Sequence, residues 1–286
     1  MAANTASGPL GIIAGRGDLP ARVADAAAAQ GRDVFVLALK GFAEPSVIGA
    51  YPHAWIRLAD GASALAHLRG RGVRDLVFAG AIHRPSLFSL RPDWRAARFI
   101  AKVGWRALGD DSLLSAVAAE FEAEGFRVVG ADQVWQSGLM PAGVMTRARP
   151  DEAAWRDIRR GVAVTRALGG VDVGQGCVVQ QGIVLALEAI EGTDAMLARA
   201  GGLRREGEGG VLVKLVKPGQ DRRIDLPTIG PNTIAAAAAA GLRGVAAEAG
   251  GALLIEQDQT IAAADASGLF IVGIDPARLL AEGGGA

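Results

Sequence analysis

Charged side chains are concentrated in one C-terminal stretch of this chain, between residues 188 and 230. Carboxylates come first, and lysines followed by a mixed group of acids and arginines come after a Gly-rich break. The candidate functional residues here are Glu188, Glu191, Thr193, Asp194, Lys214, Gln220, Asp221, Arg223, Asp225 and Thr228. Carboxylates beside cations can hold a divalent metal and a phosphate ester together. We therefore expect the catalytic site in this stretch.

Glu188, Lys214 and Asp225 each adjoin an apolar segment that should form a buried strand. Those segments are residues 183–187, residues 211–213, and the pair Ile224 and Leu226. Charges at the ends of buried strands usually have a function, because isolated charges are rarely buried. A solvated, salt-bridged hairpin is the alternative interpretation of the same cluster.

The composition limits the function classes. The chain has 286 residues, enough for two domains of about 100 to 200 residues each. Its 30 basic and 30 acidic residues give a net charge of zero, so no overall field attracts nucleic acid or anionic lipid. Any phosphate recognition must therefore be local.

Cysteine and histidine are scarce, which limits the metal chemistry. Cys177 is the single cysteine, so we expect no internal disulfide and a reducing, cytoplasmic location. The histidines, His53, His67 and His83, cannot build a His-rich two-metal phosphoesterase centre, and the sequence has no Cys-x-x-Cys zinc motif. A bound metal should therefore have oxygen ligands, which favours Mg²⁺ or Mn²⁺.

No targeting or membrane-spanning pattern is evident. No basic residue precedes the short apolar run at residues 10–14, so we do not interpret it as a signal peptide. The Ala-rich run at residues 234–242 is too short to cross a bilayer and is followed by Arg243. Peripheral contact with a membrane stays open.

Short apolar runs alternate with helical patterns in the first 130 residues. The predicted strands are 10–14, 34–39, 76–79 and 126–129, and the predicted helices are 19–30, 63–69, 92–103 and 110–124. Strand, helix and strand at this spacing predict right-handed crossovers and a parallel sheet covered on both faces. We therefore predict an N-terminal parallel-sheet domain at residues 1–130.

Residues 131–150 carry Gly and Pro without sustained periodicity, which indicates a linker. Beyond them we predict a distinct α/β or α+β domain at residues 151–286, whose topology the pattern leaves open. Its predicted strands are 171–173, 177–180, 183–187, 211–216, 253–256 and 269–272, and its predicted helices are 151–168, 232–249 and 261–264.

The turn after the first predicted strand contains Gly15, Gly17 and Asp18. In a doubly wound sheet this turn lies in the ligand-binding crevice, and N–H groups at the helix start favour phosphate. The pattern is not G-x-G-x-x-G, and the second strand ends at Lys40 rather than at an acid, so a nicotinamide cofactor is disfavoured. A tight turn with Asp18 as N-cap and Pro20 in the first helical turn is the alternative to substrate binding.

His83 and Arg84 form a second N-terminal group, after the predicted strand at residues 76–79. The carboxyl edge of a parallel sheet is its ligand side, so these side chains are candidates for contact with a phosphate or a sugar. A loop histidine and a solvated arginine are the alternative.

Four segments resemble, in their order and spacing, the LpxI family of UDP-2,3-diacylglucosamine pyrophosphatases. They are residues 11–20 (GIIAGRGDLP), 109–114 (GDDSLL), 187–197 (LEAIEGTDAML) and 220–230 (QDRRIDLPTIG). The match spans nearly the whole chain, and its C-terminal motifs are long and specific.

This resemblance implies a definite activity. Members of the family hydrolyse the pyrophosphate of UDP-2,3-diacylglucosamine to UMP and 2,3-diacylglucosamine 1-phosphate (lipid X), in lipid A biosynthesis of Gram-negative bacteria and with magnesium. The resemblance also implies a Rossmann-like N-terminal domain, a distinct C-terminal domain and a lipid held between the two. Asp225 matches the acidic residue regarded as essential in the family.

The other roles are assigned from side-chain chemistry. Hydrolysis of a phosphoanhydride needs neutralised oxygens, a positioned water and a leaving phosphate whose charge is accepted. The predicted catalytic residues are Asp225, Asp194, Lys214 and Asp221. The predicted metal ligands are Asp225, Asp194, Glu191 and Glu188. The predicted substrate-binding residues are Gly15, Gly17, Asp18, His83, Arg84, Asp111, Thr193, Gln220, Arg223 and Thr228.

Two other functions stay open: a nicotinamide-dependent oxidoreductase, and a non-catalytic protein that binds the nucleotide-sugar lipid. A covalent enzyme intermediate is disfavoured, because the sequence shows no Ser/His or Cys/His pair and Cys177 lies in an apolar run. We expect a cytoplasmic enzyme. The sequence leaves open whether it contacts the inner membrane, whether it forms a homodimer, how many metals it binds and which acyl-chain length it prefers.

Overall fold

The structure of this chain is a computed structural model, and it describes residues 8–82, Trp94 and residues 110–283. The chain divides into two compact units. The first consists of Met1–Gln136 and Asp221–Asp225, and the second of Ser137–Gln220 and Leu226–Ala286. Asp225 therefore belongs to the first unit, although it lies in the sequence region predicted as the C-terminal domain.

The first unit is built on a five-stranded parallel sheet. Its strands are β1 (Leu10–Ala14), β2 (Val34–Leu39), β3 (His53–Ile56), β4 (Asp75–Ala79) and β5 (Arg127–Val128). Their order is β3-β2-β1-β4-β5, and each neighbouring pair is parallel. The predicted parallel-sheet domain is thus confirmed, and the strand order reverses between β1 and β4, where doubly wound sheets bind ligands.

The described helices of this unit are α1 (Leu19–Ala29), α2 (Pro45–Ile48), α3 (Gly61–Gly70), α4 (Asp110–Ala123) and α5 (Ala131–Val134). The sequence pattern predicts α1, α3 and α4 but misses strand β3 and the short helices α2 and α5. β1, β2 and β4 are buried along their whole length, because helices cover both faces of a parallel sheet. The predicted helix at residues 92–103 lies, apart from Trp94, outside the described residues.

A buried ion cluster fixes the amino edge of this sheet. Asp75, the first residue of β4, is 2 % exposed. Its carboxylate accepts hydrogen bonds from Arg32 Nη2 at 2.8 Å and from Arg127 Nε and Nη2, each also at 2.8 Å. Because Arg32 precedes β2 and Arg127 opens β5, one carboxylate connects three strands.

We expect Asp75→Ala to lower the free energy of unfolding by about 3 kcal/mol, because it removes the buried carboxylate that both Arg32 and Arg127 bond. Urea unfolding followed by circular dichroism measures the change. Arg69→Ala is the matched control: it breaks an exposed ion pair with Glu124 and should cost less than about 1 kcal/mol. Equal losses in the two variants would contradict the structural role of Asp75.

The second unit is built on a mixed sheet. Its strands are β6 (Gly143–Val144), β7 (Gly176–Gln180), β8 (Ile183–Leu187), β9 (Val211–Lys214), β11 (Gly244–Glu248) and β13 (Phe270–Ile274), with a separate pair of β10 (Thr228–Ile229) and β12 (Leu253–Leu254). The six-stranded order is β6-β13-β11-β9-β7-β8. β9, β11 and β13 are parallel to each other, and β7 pairs antiparallel with both β8 and β9.

Five helices surround this sheet: α6 (Glu152–Gly170), α7 (Gly192–Gly201), α8 (Pro231–Ala239), α9 (Gln257–Ala266) and α10 (Pro276–Gly283). The core beneath α7 and α8 includes Met196, Leu197 and Ile234, which are all fully buried. No helix among the described residues is long and apolar enough to cross a membrane. The distinct C-terminal α/β domain is confirmed.

Several predicted elements of the second unit are wrong. Residues 171–173 form a turn rather than a strand. The predicted helix at 232–249 ends at Ala239, because Gly241 adopts a φ of 67° that terminates helices. The rest of that segment is β11, a buried strand whose alanines resembled a helix in the sequence. Residues 131–150, predicted as a linker, contain α5, a 3₁₀ turn and β6.

Candidate functional site

Two candidate charges meet at one edge of the second sheet. β8 and β9 both run antiparallel to β7, so their carboxyl ends lie at the same edge. Lys214 is the last residue of β9, and Glu188 directly follows β8. The sequence expectation that these charges lie at the ends of strands is confirmed. Both side chains are buried, with 5 % of Lys214 and 6 % of Glu188 exposed.

A threonine hydroxyl joins these two charges. Lys214 Nζ donates to Thr193 Oγ1 at 2.7 Å, and Thr193 Oγ1 donates to Glu188 Oε1 at 2.6 Å. Thr193 reaches this position because α7 begins immediately before it, at Gly192, whose φ of 78° turns the chain into the helix. We call Glu188, Thr193 and Lys214 the buried polar cluster.

Gly176 makes room for this cluster. It opens β7, pairs with Lys214 and accepts a hydrogen bond from the Glu188 N–H at 2.9 Å. A Cβ at Gly176 would lie 2.6 Å from Glu188 Oε2 and 3.6 Å from Lys214 Cγ, so any side chain would displace the carboxylate. Glu188 Oε2 is buried and makes no hydrogen bond in the described chain. An unsatisfied buried oxygen is costly and marks a functional site or an absent partner.

The remaining carboxylates of this region do not join the cluster. Glu191 forms an ion pair with Arg199 at 2.5 Å, and its own backbone N–H and then Arg199 lower the pKa of its carboxyl. Asp194 is exposed in the first turn of α7. Among the described residues, no three His, Cys, Asp or Glu side chains converge as they would around a metal ion. The predicted carboxylate ligands thus do not form a preformed metal cage there.

Asp221 and Arg223 neutralise each other in the segment that belongs to the first unit. Arg223 donates from Nε and Nη2 to Asp221, at 2.9 and 2.6 Å, and from Nη1 to Glu122 at 2.7 Å. These bonds lower the pKa of Asp221 and raise that of Arg223. The pair is therefore suited to holding the turn, and the predicted catalytic role of Asp221 and substrate-binding role of Arg223 gain no support from their contacts.

Asp225 follows in the same segment and is half-buried. Its neighbours Ile224 and Leu226 are buried, and Ile224 packs into the core of the first unit. These residues form a turn and an extended segment rather than the expected strand. Because both neighbours are anchored and Pro227 restricts the chain, the Asp225 carboxylate is held in a defined place.

Gln220 and Thr228 flank this segment and make local contacts. Gln220 Oε1 accepts from the Lys217 N–H at 3.0 Å, and Thr228 Oγ1 donates to the Leu226 carbonyl at 3.2 Å. These contacts shape the turns on either side of Asp225.

The Gly15 to Asp18 turn is tight for a steric reason. A Cβ at Gly15 would lie 2.7 Å from the carbonyl oxygens of Gly80 and Ala81. The Gly15 N–H donates to Ala79 O at 2.8 Å and is not available to a ligand. Gly17 has a φ of 85°, and Asp18 occupies the N-cap position of α1 without the expected side-chain bond. The amides of Gly17 and Asp18 bond no described residue, so they stay candidates for an anion.

For three predicted substrate-binding residues, His83, Arg84 and Asp111, the structure describes no side chain. His83 and Arg84 lie outside the described residues, and the backbone of Asp111 lies in the first turn of α4.

Cys177 is buried, and burial raises the pKa of its thiol to about 11, which agrees with the expectation that it is not a nucleophile.

Sequence reasoning missed two residues at the carboxyl edge of the second sheet. Glu248 ends β11 and accepts from the Val216 N–H at 3.2 Å, but it lay inside a predicted helix. Gly176 carried no sequence signal, because its importance depends on Glu188, twelve residues away. The available signal for Glu248 was Gly241, which can end the alanine-rich helix and so leave Glu248 at the end of a separate short apolar segment.

Comparison with known proteins gives a consistent family. Residues 9–137 match the family model described as the LpxI N-terminal domain, and residues 141–272 match the LpxI C-terminal domain. A Caulobacter vibrioides protein named UDP-2,3-diacylglucosamine pyrophosphatase LpxI is 43 % identical over 274 residues, which cover 93 % of this chain and 98 % of that protein. A crystal structure of Thermus thermophilus UDP-glucose 4-epimerase with NAD aligns over 96 % of this chain and 93 % of the other, with 13 % identity and a TM-score of 0.28. That score is too low to bear on fold or function.

Proposed function

The chain belongs to the LpxI family, and from this premise we propose that it hydrolyses the pyrophosphate bond of UDP-2,3-diacylglucosamine. The products are UMP and 2,3-diacylglucosamine 1-phosphate (lipid X), and the reaction is a step of lipid A biosynthesis at the cytoplasmic face of the inner membrane. The single observation that supports this chemistry best is the buried polar cluster. It holds a lysine at a sheet edge with ammonium protons left for a phosphate.

Lys214 is the group suited to bind the diphosphate. Its ammonium donates one hydrogen bond to Thr193 and forms no salt bridge with a described residue. A buried cation without a bound carboxylate attracts the non-bridging oxygens of a phosphoanhydride, and the attraction grows as charge develops in the transition state. Lys214 therefore supplies the positive charge that hydrolysis requires.

Asp225 is the group suited to orient the attacking water, because its carboxylate is held between anchored neighbours. Asp225 belongs to the first unit and Lys214 to the second. We propose, as the family resemblance implies, that the lipid is held between the N- and C-terminal domains.

Magnesium is proposed as an ion that arrives with the substrate. Mg²⁺ is commonly bound by one or two carboxylates together with substrate phosphates rather than by a cage of protein ligands. A single held carboxylate, Asp225, fits that mode without a preformed cluster. When bound, the ion neutralises charge on the phosphate oxygens.

The decisive experiment is incubation of the purified chain with UDP-2,3-diacylglucosamine and magnesium, followed by mass spectrometry. We expect UMP and lipid X in equal amounts, no turnover with EDTA, and recovery when magnesium is restored, because the diphosphate needs its charge neutralised. Manganese should substitute for magnesium, since both ions prefer oxygen ligands. Release of no UMP would contradict the function, and full turnover in metal-stripped buffer would contradict the metal requirement alone.

An exposed apolar rim next to the buried polar cluster supports peripheral membrane contact. The rim consists of Val171, Val173, Leu187 and Ile190, of which Val171 is 71 % and Ile190 80 % exposed. The loop that carries the two valines packs on Glu188, since a Cβ at Gly174 would lie 2.0 Å from the Glu188 carbonyl oxygen. Apolar side chains clustered beside a site for a diacyl substrate would bury their surface in the acyl region of a bilayer.

We expect the double variant Val171→Glu and Ile190→Glu to sediment at least about tenfold less with vesicles of phosphatidylethanolamine and phosphatidylglycerol, because each loses about 1.5 kcal/mol or more of apolar burial. Leu203→Glu is the matched control. Leu203 is 51 % exposed but lies between α7 and β9, at the opposite edge of the sheet. Unchanged sedimentation would contradict membrane contact. Self-association lost in the double variant would assign the rim to a homodimer instead.

A further inference from the structure

The direction of each hydrogen bond in the buried polar cluster is determined by chemistry. A lysine ammonium has donors and no acceptor, so Thr193 Oγ1 must accept from Lys214 Nζ. Thr193 has one hydroxyl proton, and Glu188 Oε1 lies 2.6 Å from that oxygen. The proton is therefore donated to Glu188, whose carboxylate accepts it. The chain of bonds runs in one direction, from Lys214 through Thr193 to Glu188.

This direction separates the threonine from substrate chemistry. With its proton directed to Glu188, the Thr193 hydroxyl has none left to donate to a phosphate oxygen. Lys214, in contrast, keeps two ammonium protons that no described side chain accepts. The hydroxyl also places a single oxygen between two buried charges that form no direct salt bridge. Thr193 thus restricts the position of the ammonium without neutralising it.

Resting on the proposed function, we infer that Thr193 is a positioning residue for hydrolysis, which holds the Lys214 ammonium against the diphosphate and is itself held by Glu188. Glu188 then acts as the buried anchor of this hydrogen-bond chain. Gly176 is required for this arrangement, because only a residue without a side chain leaves space for the Glu188 carboxylate. Thr193 does not bind the substrate through its hydroxyl.

The test is a double-mutant cycle on steady-state kinetics. Thr193→Val removes the hydroxyl at nearly constant volume, and we expect kcat to fall about 10- to 100-fold with KM changed by less than about threefold, because a misplaced charge loses transition-state stabilisation. Thr193→Ser keeps the hydroxyl and should stay within about threefold of the unmodified chain. In a Lys214→Met background, Thr193→Val should change kcat by less than about twofold, since residues that act as a unit are not additive.

Two kinetic outcomes would overturn the inference. One is an equal effect of Thr193→Val with and without Lys214, which would show an independent role. The other is a Thr193→Ser variant as impaired as Thr193→Val, which would show that volume rather than the hydroxyl matters. If Thr193→Val does not fold, as judged by its thermal unfolding, Glu188→Gln replaces it in the same cycle. It removes the charge at constant shape and should lower kcat about tenfold only when Lys214 is present.

A second readout does not depend on catalysis. The chain has four lysines, at positions 40, 102, 214 and 217, so lysine-selective ¹⁵N labelling gives few ammonium signals. A hydrogen-bonded, buried ammonium exchanges slowly with water, and we expect a Lys214 signal that Thr193→Val removes and Thr193→Ser retains. Lys217, which is bonded to Asp172 at 2.9 Å, is the internal reference. A retained Lys214 signal in Thr193→Val would refute the positioning role. If Thr193→Val removes the Lys214 signal and Thr193→Ser retains it, but no variant hydrolyses the substrate, the proposed function is refuted and the hydrogen bond between Thr193 and Lys214 is not.

Discussion

Asp225→Asn should lower kcat at least about a hundredfold while the protein stays folded and binds its substrate. The substitution keeps the shape of the side chain and removes its charge, so it eliminates a general base or an electrostatic contact with little strain. Binding should persist because the uridine and acyl chains contribute affinity through other contacts. Steady-state kinetics, thermal unfolding and calorimetric titration of the substrate onto the variant measure the three quantities.

Asp221→Asn is the matched control for Asp225, since it removes a carboxylate from the same segment. Asp221 bonds Arg223 through both carboxylate oxygens, so its loss should lower the thermal unfolding midpoint while kcat falls less than about tenfold. A near-normal kcat for Asp225→Asn would dismiss Asp225 as catalytic. If kcat and the unfolding midpoint of Asp225→Asn fall together, Asp225 is structural and the active carboxylate must be sought at Asp194 or Asp221.

Lys214→Met is expected to lower kcat by about 100- to 1000-fold, the usual cost of removing one charged or polar donor from a transition state. Methionine fills the space of the lysine stem and removes the ammonium. The loss should appear mainly in kcat, because the attraction between Lys214 and the phosphate grows as negative charge develops.

Lys217→Met is the matched control, because Lys217 is also buried but bonds Asp172. It should lower the unfolding midpoint and change kcat by less than about fivefold, since removing one partner of a buried pair mainly affects stability. Equal loss of kcat in the two lysine variants would contradict a specific role of Lys214. A Lys214→Met variant that binds substrate weakly at unchanged kcat would make Lys214 a binding residue only.

The sequence predicted four of the five strands of the parallel sheet in the first unit and missed β3, which is only partly buried. β1, β2 and β4 are buried on both faces, and such strands appear in a sequence as continuous apolar runs. Helical periodicity between them then determines the crossover connections. The same reasoning failed at β11, because alanine-rich strands and alanine-rich helices have the same composition and burial alone separates them.

The side-chain types of the candidate site were also readable in advance. Glu188 and Lys214 adjoin apolar runs, and Glu188 lies in a motif that resembles one family. The chemistry of the two side chains indicates a site for phosphate. The prediction of Asp225, Asp194, Glu191 and Glu188 as metal ligands rests on residue type, and residue type does not specify which side chains meet.

Only the tertiary structure decided the pairings. Thr193, 5 residues after Glu188 and 21 residues before Lys214, links the two charges. Arg199 pairs with Glu191, and Asp225 belongs to the unit that otherwise consists of Met1–Gln136 and residues 221–224. Sequence patterns report the local period of a helix or a strand and the average burial of its faces. Which partners meet depends instead on sheet order, strand direction and packing between distant segments, and these are properties of the folded chain as a whole.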